Sequence, residues 1–169
     1  MKETTNGLEP SSWEEIINYL PAIKNQSYFD FFNEIIFSFN VLEPVLDSSS
    51  MNPDSWKKIA KKIKENYDNY DGFIIIHGTD TLAYTASALS FMLENLNKPV
   101  VMTGSQLPIF HPRTDGITNL SNAIYIAGYL SFGINCIPEV CICFNDDVLR
   151  GNRSVKTSTN DFEGFSSPN

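Results

Sequence analysis

The residues that could do chemistry sit in one stretch, IIIHGTDTLAY, from Ile74 to Tyr84. An apolar run there passes directly into His77, Gly78, Thr79, Asp80 and Thr81. Hydroxyls, a carboxylate and an imidazole together can hold a small polar molecule. A hydroxyl is a poor nucleophile at neutral pH and needs a neighbouring base. Two other apolar runs are associated with similar clusters, Asp47-Ser48-Ser49-Ser50 and Thr103-Gly104-Ser105-Gln106. Helix capping is the competing account, because Ser, Thr and Asp are the favoured N-cap residues. A cap uses one or two residues per cluster, so capping leaves much of the three clusters unexplained.

The elements that must position these clusters alternate. Ser11 or Ser12 with Glu14 and Glu15 has capping-box spacing and predicts a short helix over WEEIINYL, stopped by Pro21. Glu34 to Leu46 is rich in branched and aromatic residues and reads as a strand broken near Pro44. Asn52-Pro53-Asp54 opens a helix with Trp56, Ile59, Ile63 and Tyr67 on one stripe. Strand FIII follows Asp71-Gly72, and a helix over Leu82 to Leu96, apolar on most sides, is expected to be buried. Strand VVMT, a helix opened by Asp115, and a hairpin of EVCICF with VLRG around Asn145-Asp146-Asp147 complete the series. Continuous apolar strands alternating with helices predict an α/β fold, a mostly parallel sheet with helices on both faces. Ligands bind outside the carboxyl ends of such strands, so the three clusters should converge on one edge.

Bulk properties narrow the function classes. At 169 residues and 42% hydrophobic, the chain has room for one domain with a real core. A net charge of -8 argues against a nucleic-acid backbone as partner. Lys57, Lys58, Lys61, Lys62 and Lys64 read as the solvated face of a helix. Cys136, Cys141 and Cys143 make no disulfide framework, and the C-x-C pair in a strand reads as core thiols rather than a metal site. No signal peptide stands at MKETTNG and no apolar run reaches membrane-spanning length, so a cytoplasmic, membrane-free protein is expected. Neither G-x-G-x-x-G nor G-x-x-x-x-G-K-[ST] occurs, which disfavours a nucleotide-binding domain.

The run GFIIIHGTDTL, Gly72 to Leu82, closely resembles the second active-site signature of the bacterial L-asparaginases. The flanks YTASALSFMLENLNKPVVMTGSQLPI, DSSSM, RTDG and RGNR..K before FSSPN resemble the cytosolic type I branch, and the likeness runs from about Gly7 to Asn169. The resemblance implies hydrolysis of L-asparagine to L-aspartate and ammonia by a threonine-nucleophile mechanism, with no cofactor or metal and with a homo-oligomer, dimer or tetramer, at full length. By the same resemblance, Thr79 is the catalytic threonine facing the substrate amide and Asp80 the carboxylate that binds the α-amine. Lys156 is the lysine that pairs with both, and Asp47, Ser48 and Ser49 hold the substrate's carboxylate and amine groups. His77 is expected to shape the turn rather than to catalyse. Gly78 should allow a close backbone approach or a positive φ.

The chain also departs from the family pattern. The family's first strand ends in T-G-G-T, whose first threonine is the covalent nucleophile, and no T-G-G-T occurs here. Met1 to Pro10 resembles the mobile loop that follows that motif, with Leu8 where a tyrosine is common and Thr4 and Thr5 as poor substitutes. Asn169 falls before the family's smaller C-terminal domain. Residues 1–169 are therefore expected to form a single N-terminal domain, incomplete at both ends, aggregation-prone and inactive alone for want of the nucleophile. The competing reading is a degenerate, non-catalytic protein that binds aspartate or asparagine, or a partner subunit. Retention of Thr79, Asp80 and Lys156 together favours the enzyme, because a pure binder has little use for the lysine.

Overall fold

Asn52 starts the first long helix as its side chain accepts from the backbone N–H groups of Asp54 at 3.0 Å and Ser55 at 3.2 Å. Pro53 stands at the first helical position, where its missing N–H costs nothing. The result is α1, Pro53–Asn66, in a computed structural model that describes residues 2–4, 7–9, 15–16, 35–128 and 136–168. Ile59 and Ile63 are buried, and each contributes about 1.5–3 kcal/mol by leaving water. Lys57, Lys58, Lys61 and Lys64 lie on the exposed side, with Lys57 beside Asp54 at 3.0 Å and Lys61 beside Glu65 at 3.8 Å. Exposed pairs of this kind contribute little.

Near the start of the chain, β1 (Lys2–Thr4) pairs antiparallel with β2 (Gly7–Glu9). The expected loop over Met1 to Pro10 therefore contains a small hairpin. The main sheet comprises β3 (Phe73–Ile76), β4 (Val100–Thr103), β5 (Val140–Phe144) and β6 (Asp147–Arg150), in that order. β3, β4 and β5 run parallel, and β6 returns antiparallel beside β5. Asn145 makes that return with φ 53°, a left-handed conformation that asparagine tolerates well.

The register sorts the side chains onto two faces. Val100, Met102, Val140, Ile142 and Phe144 face one side and pack with α1 and with α2, Leu82–Met92. Val101, Cys141 and Cys143 face the other and pack with Ala123, Ile126 and Ala127 of α3, Gly116–Gly128. Helices thus cover both faces of a mostly parallel sheet. α3 approaches β3 so closely that a Cβ on Gly72 would collide with the Ala127 carbonyl. Burial pushes the Cys141 and Cys143 thiols up to about 12, as inert core residues.

Two expectations are corrected. Residues 35–46 form no strand: they pair with no ladder among the described residues, and Ile36, Val41 and Val45 are exposed. Branched residues favour a strand only where a neighbour and a packing surface are present. α2 stops at Met92 rather than Leu96, with Leu93 outside helical geometry, and Tyr84 and Phe91 on its outer side are exposed. Apolar residues on most sides overstated its burial. The helix expected over WEEIINYL lies outside the described residues except for Glu15 and Ile16, which are helical.

Candidate active site

Three contacts assemble the edge above the sheet. His77 N–H donates to the Thr103 carbonyl at 2.8 Å, extending the β3–β4 ladder by one residue. Thr81 Oγ1 donates to the Ser48 carbonyl at 2.6 Å. Gly78 lies against Ser48, where a Cβ would stand 2.6 Å from Ser48 Oγ. The three clusters therefore share one edge, and close approach is the reason for glycine at position 78. Gly104 has the same reason, since a Cβ there would collide with the His77 carbonyl.

Lys156 comes from a separate piece of structure. β7 (Val155–Lys156) pairs antiparallel with β8 (Phe165–Ser166), outside the main sheet. Phe165 anchors this pair in the core, its ring 4.8 Å from that of Phe144 in an edge-on contact. Lys156 Nζ donates to Thr79 Oγ1 at 2.9 Å and lies 3.1 Å from Asp80 Oδ1. The lysine side chain is only 15% exposed, whereas Asp80 is 61% exposed. That asymmetry matters chemically. The ammonium is held inward on the hydroxyl, and the carboxylate keeps most of its surface for another partner.

Asp47, Ser48 and Ser49 form a tight turn of their own. Asp47 Oδ1 accepts from Ser49 N–H at 2.9 Å and from Ser49 Oγ at 2.7 Å. The Ser49 hydroxyl, then its N–H, hold the Asp47 carboxyl below its ordinary range. Ser48 is buried against Gly78, while Asp47 and Ser49 are exposed at the rim. Thr79, Asp80 and Lys156 meet directly, and this turn joins them through Gly78 and Thr81.

His77 is engaged at both ring nitrogens. Nδ1 is 2.7 Å from the Gly78 carbonyl, and Nε2 is 3.1 Å from Thr85 Oγ1. A carbonyl can only accept, so Nδ1 carries the proton and Nε2 accepts from the Thr85 hydroxyl. Thr85 in turn accepts from Trp56 Nε1 at 3.0 Å. The relay Trp56 to Thr85 to His77 to Gly78 fixes the peptide just before Thr79. Burial pushes the imidazole pKa down, partly opposed by the bond to Gly78. His77 thus serves the turn, as anticipated.

Sequence reasoning missed Thr85 and the hydrogen-bonding roles of Trp56 and Gln106. Thr85 shares α2 with Ser87 and Ser90, so its hydroxyl gave no distinctive signal, and Trp56 reads in the sequence only as part of an apolar stripe. Gln106 was marked only as the last residue of the Thr103-Gly104-Ser105-Gln106 cluster, with no role of its own. Its Nε2 donates to the carbonyls of Ser158 at 3.2 Å and Asp161 at 2.8 Å.

Comparison with known proteins shows the family of the chain and its fold. The family model for the N-terminal part of asparaginase matches residues 1–169. L-asparaginase 1 of Escherichia coli is 53% identical over 133 residues, 79% of this chain and 38% of that protein. L-asparaginase I of Vibrio cholerae superposes with a TM-score of 0.81 at 44% identity, over 98% of this chain and 47% of that one. A probable cytoplasmic L-asparaginase of Campylobacter jejuni gives 0.78 at 30% identity, over 93% and 46%. The chain therefore spans less than half the length of these relatives. No helix among the described residues is long and apolar enough to cross a membrane. The chain belongs to the asparaginase family.

Proposed function

We propose that residues 1–169 are the N-terminal domain of a cytoplasmic L-asparaginase, which hydrolyses L-asparagine to L-aspartate and ammonia. The observation that carries this reading is the Lys156 ammonium bonded at once to the Thr79 hydroxyl and the Asp80 carboxylate. An ammonium donating to a hydroxyl oxygen stabilises negative charge there and orients the remaining proton, which hydrolysis of an amide requires.

In this reading Asp80, open to solvent, takes the α-ammonium of the substrate. Ser48 and the rim residues Asp47 and Ser49 receive its α-carboxylate and amine through hydroxyls, backbone N–H groups and the Asp47 carboxylate. The side-chain amide then lies near Thr79. Attack on the amide carbon breaks the C–N bond and ammonia departs with an added proton. Water cleaves the resulting acyl group to give aspartate. Thr79, Lys156 and Asp80 form the path along which those protons move. The covalent nucleophile is a threonine outside these 169 residues, and the complete protein acts as a homo-oligomer.

The α-ammonium contact gives a direct test by calorimetric titration of L-aspartate and of succinate, which lacks the amine. The parent should prefer aspartate by about tenfold, the worth of roughly one charged hydrogen bond. Asp80→Asn should remove most of that preference. An unchanged ratio in the variant would take the α-amine role away from Asp80.

A further inference from the structure

We propose that Gln106 is a positioning residue that sets the Lys156 ammonium against Thr79 by clamping the loop between β7 and β8. Lys156 lies on a strand two residues long, whose partner is β8 alone. The register of the main sheet therefore does not place it. Its distance from Thr79 depends on how the β7–β8 pair is held. Gly151, at the turn before β7, packs closely against Ala86 and Ser90 of α2, and among the described residues two further attachments act on the pair and its loop. One is Phe165, buried against Phe144. The other is Gln106, whose side-chain NH₂ donates one bond to Ser158 O and one to Asp161 O, both within the connecting loop.

The clamp has a rigid base and a fitted socket. Gln106 N–H donates to both oxygens of Asp115, at 3.1 and 2.9 Å, and Leu107 N–H donates to Oδ1 at 3.1 Å. Asp115 Oδ2 also accepts from Asn119 Nδ2, which donates to the Gly104 carbonyl as well. Asn119, only 1% exposed, accepts from Asn145 N–H at 2.9 Å. The base of the clamp is thus tied to the ends of β4 and β5. On the loop side, Gly164 leaves room for the amide, since a Cβ there would stand 2.5 Å from Gln106 Nε2. The loop stiffens itself around the clamp: Ser158 Oγ donates to Asp161 Oδ2 and accepts from the N–H groups of Asn160 and Asp161. Two carbonyls need two donors on one side-chain atom at this reach. Glutamate offers only acceptors there, and methionine offers nothing.

The catalytic consequence rests on the asparaginase reading, whereas the placement of Lys156 does not. The test uses the complete polypeptide as parent, Gln106→Glu and Gln106→Met. Amine acylation is followed residue by residue by mass spectrometry, with Lys98, bonded to the Tyr67 carbonyl, as the internal reference. Gln106→Glu should raise the acylation rate of Lys156 several-fold and leave Lys98 unchanged. It should also lower kcat for asparagine by about tenfold to a hundredfold, the scale of an ångström-sized misplacement, with KM within about twofold. Gln106→Met, which adds no charge, should shift both in the same direction and serves if the glutamate variant does not fold. A folded variant with unchanged Lys156 acylation overturns the clamp whatever the turnover. Raised acylation with unchanged kcat overturns the catalytic part. A parent that leaves asparagine intact refutes the function reading, and the Lys156 footprint still decides the clamp.

Discussion

Thr85→Val isolates the hydrogen-bond relay beneath the HGTDT turn. Valine has nearly the shape of threonine, and Thr85 is fully buried, so the change removes a hydroxyl without opening a cavity. It strands two groups, Trp56 Nε1 and His77 Nε2. A buried group left unsatisfied costs about 1–3 kcal/mol. Both residues are half-buried, so water recovers part of each loss. The low end for each, about 1 kcal/mol, gives a destabilisation of about 2 kcal/mol. For a chain of this size that corresponds to a fall in Tm of roughly 4–8 °C.

The same variant makes a second prediction about protonation. Burial is the main cause of the depressed His77 pKa, and the hydroxyl donated to Nε2 further favours the neutral ring. Because the folded-state pKa lies below the ordinary 6.5, the neutral form's advantage is fully present above pH 6.5. It is lost progressively as pH falls from 6.5 towards the folded-state pKa, where the unfolded chain binds the proton first. Thr85→Val removes the donor, so its His77 pKa should rise and its stability should depend less on pH in that window. Urea unfolding at several pH values and nitrogen-15 NMR of the imidazole read both effects. A variant as stable as the parent, or a parent ring protonated at Nε2, would refute the relay.

Two further predictions concern the frame. Gly72→Ala drives a methyl into the Ala127 carbonyl, backbone against backbone, and should cost about 3 kcal/mol or prevent folding, measured by urea unfolding. Cys141 and Cys143, with thiols pushed up to about 12, should resist a thiol-disulfide reagent at pH 8 until the chain unfolds. Their labelling before unfolding would place them outside the core.

Much of the frame was legible because its signals are local. Apolar runs, the Asn52-Pro53 start and the Asn145 return each follow from a few adjacent residues. The HGTDT turn was legible as a cluster for the same reason, and the family likeness supplied Lys156, which no local pattern singles out. What stayed hidden depends on contacts distant in sequence. Residues 35–46 have a strand's composition without a ladder partner among the described residues, and composition cannot report a partner. α2 is apolar on most sides, yet Tyr84 and Phe91 face outward. The Trp56, Thr85 and His77 relay spans 29 residues and the Gln106 clamp up to 55. Each member taken singly is an ordinary tryptophan, threonine or glutamine.

The most direct test of the central claim is ammonia release from L-asparagine by the complete polypeptide and its Lys156→Met variant. The account predicts hydrolysis by the parent and a loss of about a hundredfold or more in kcat for the variant, the usual contribution of a proton-handling group. Equal rates in the two proteins, or no release by a folded parent, would contradict it.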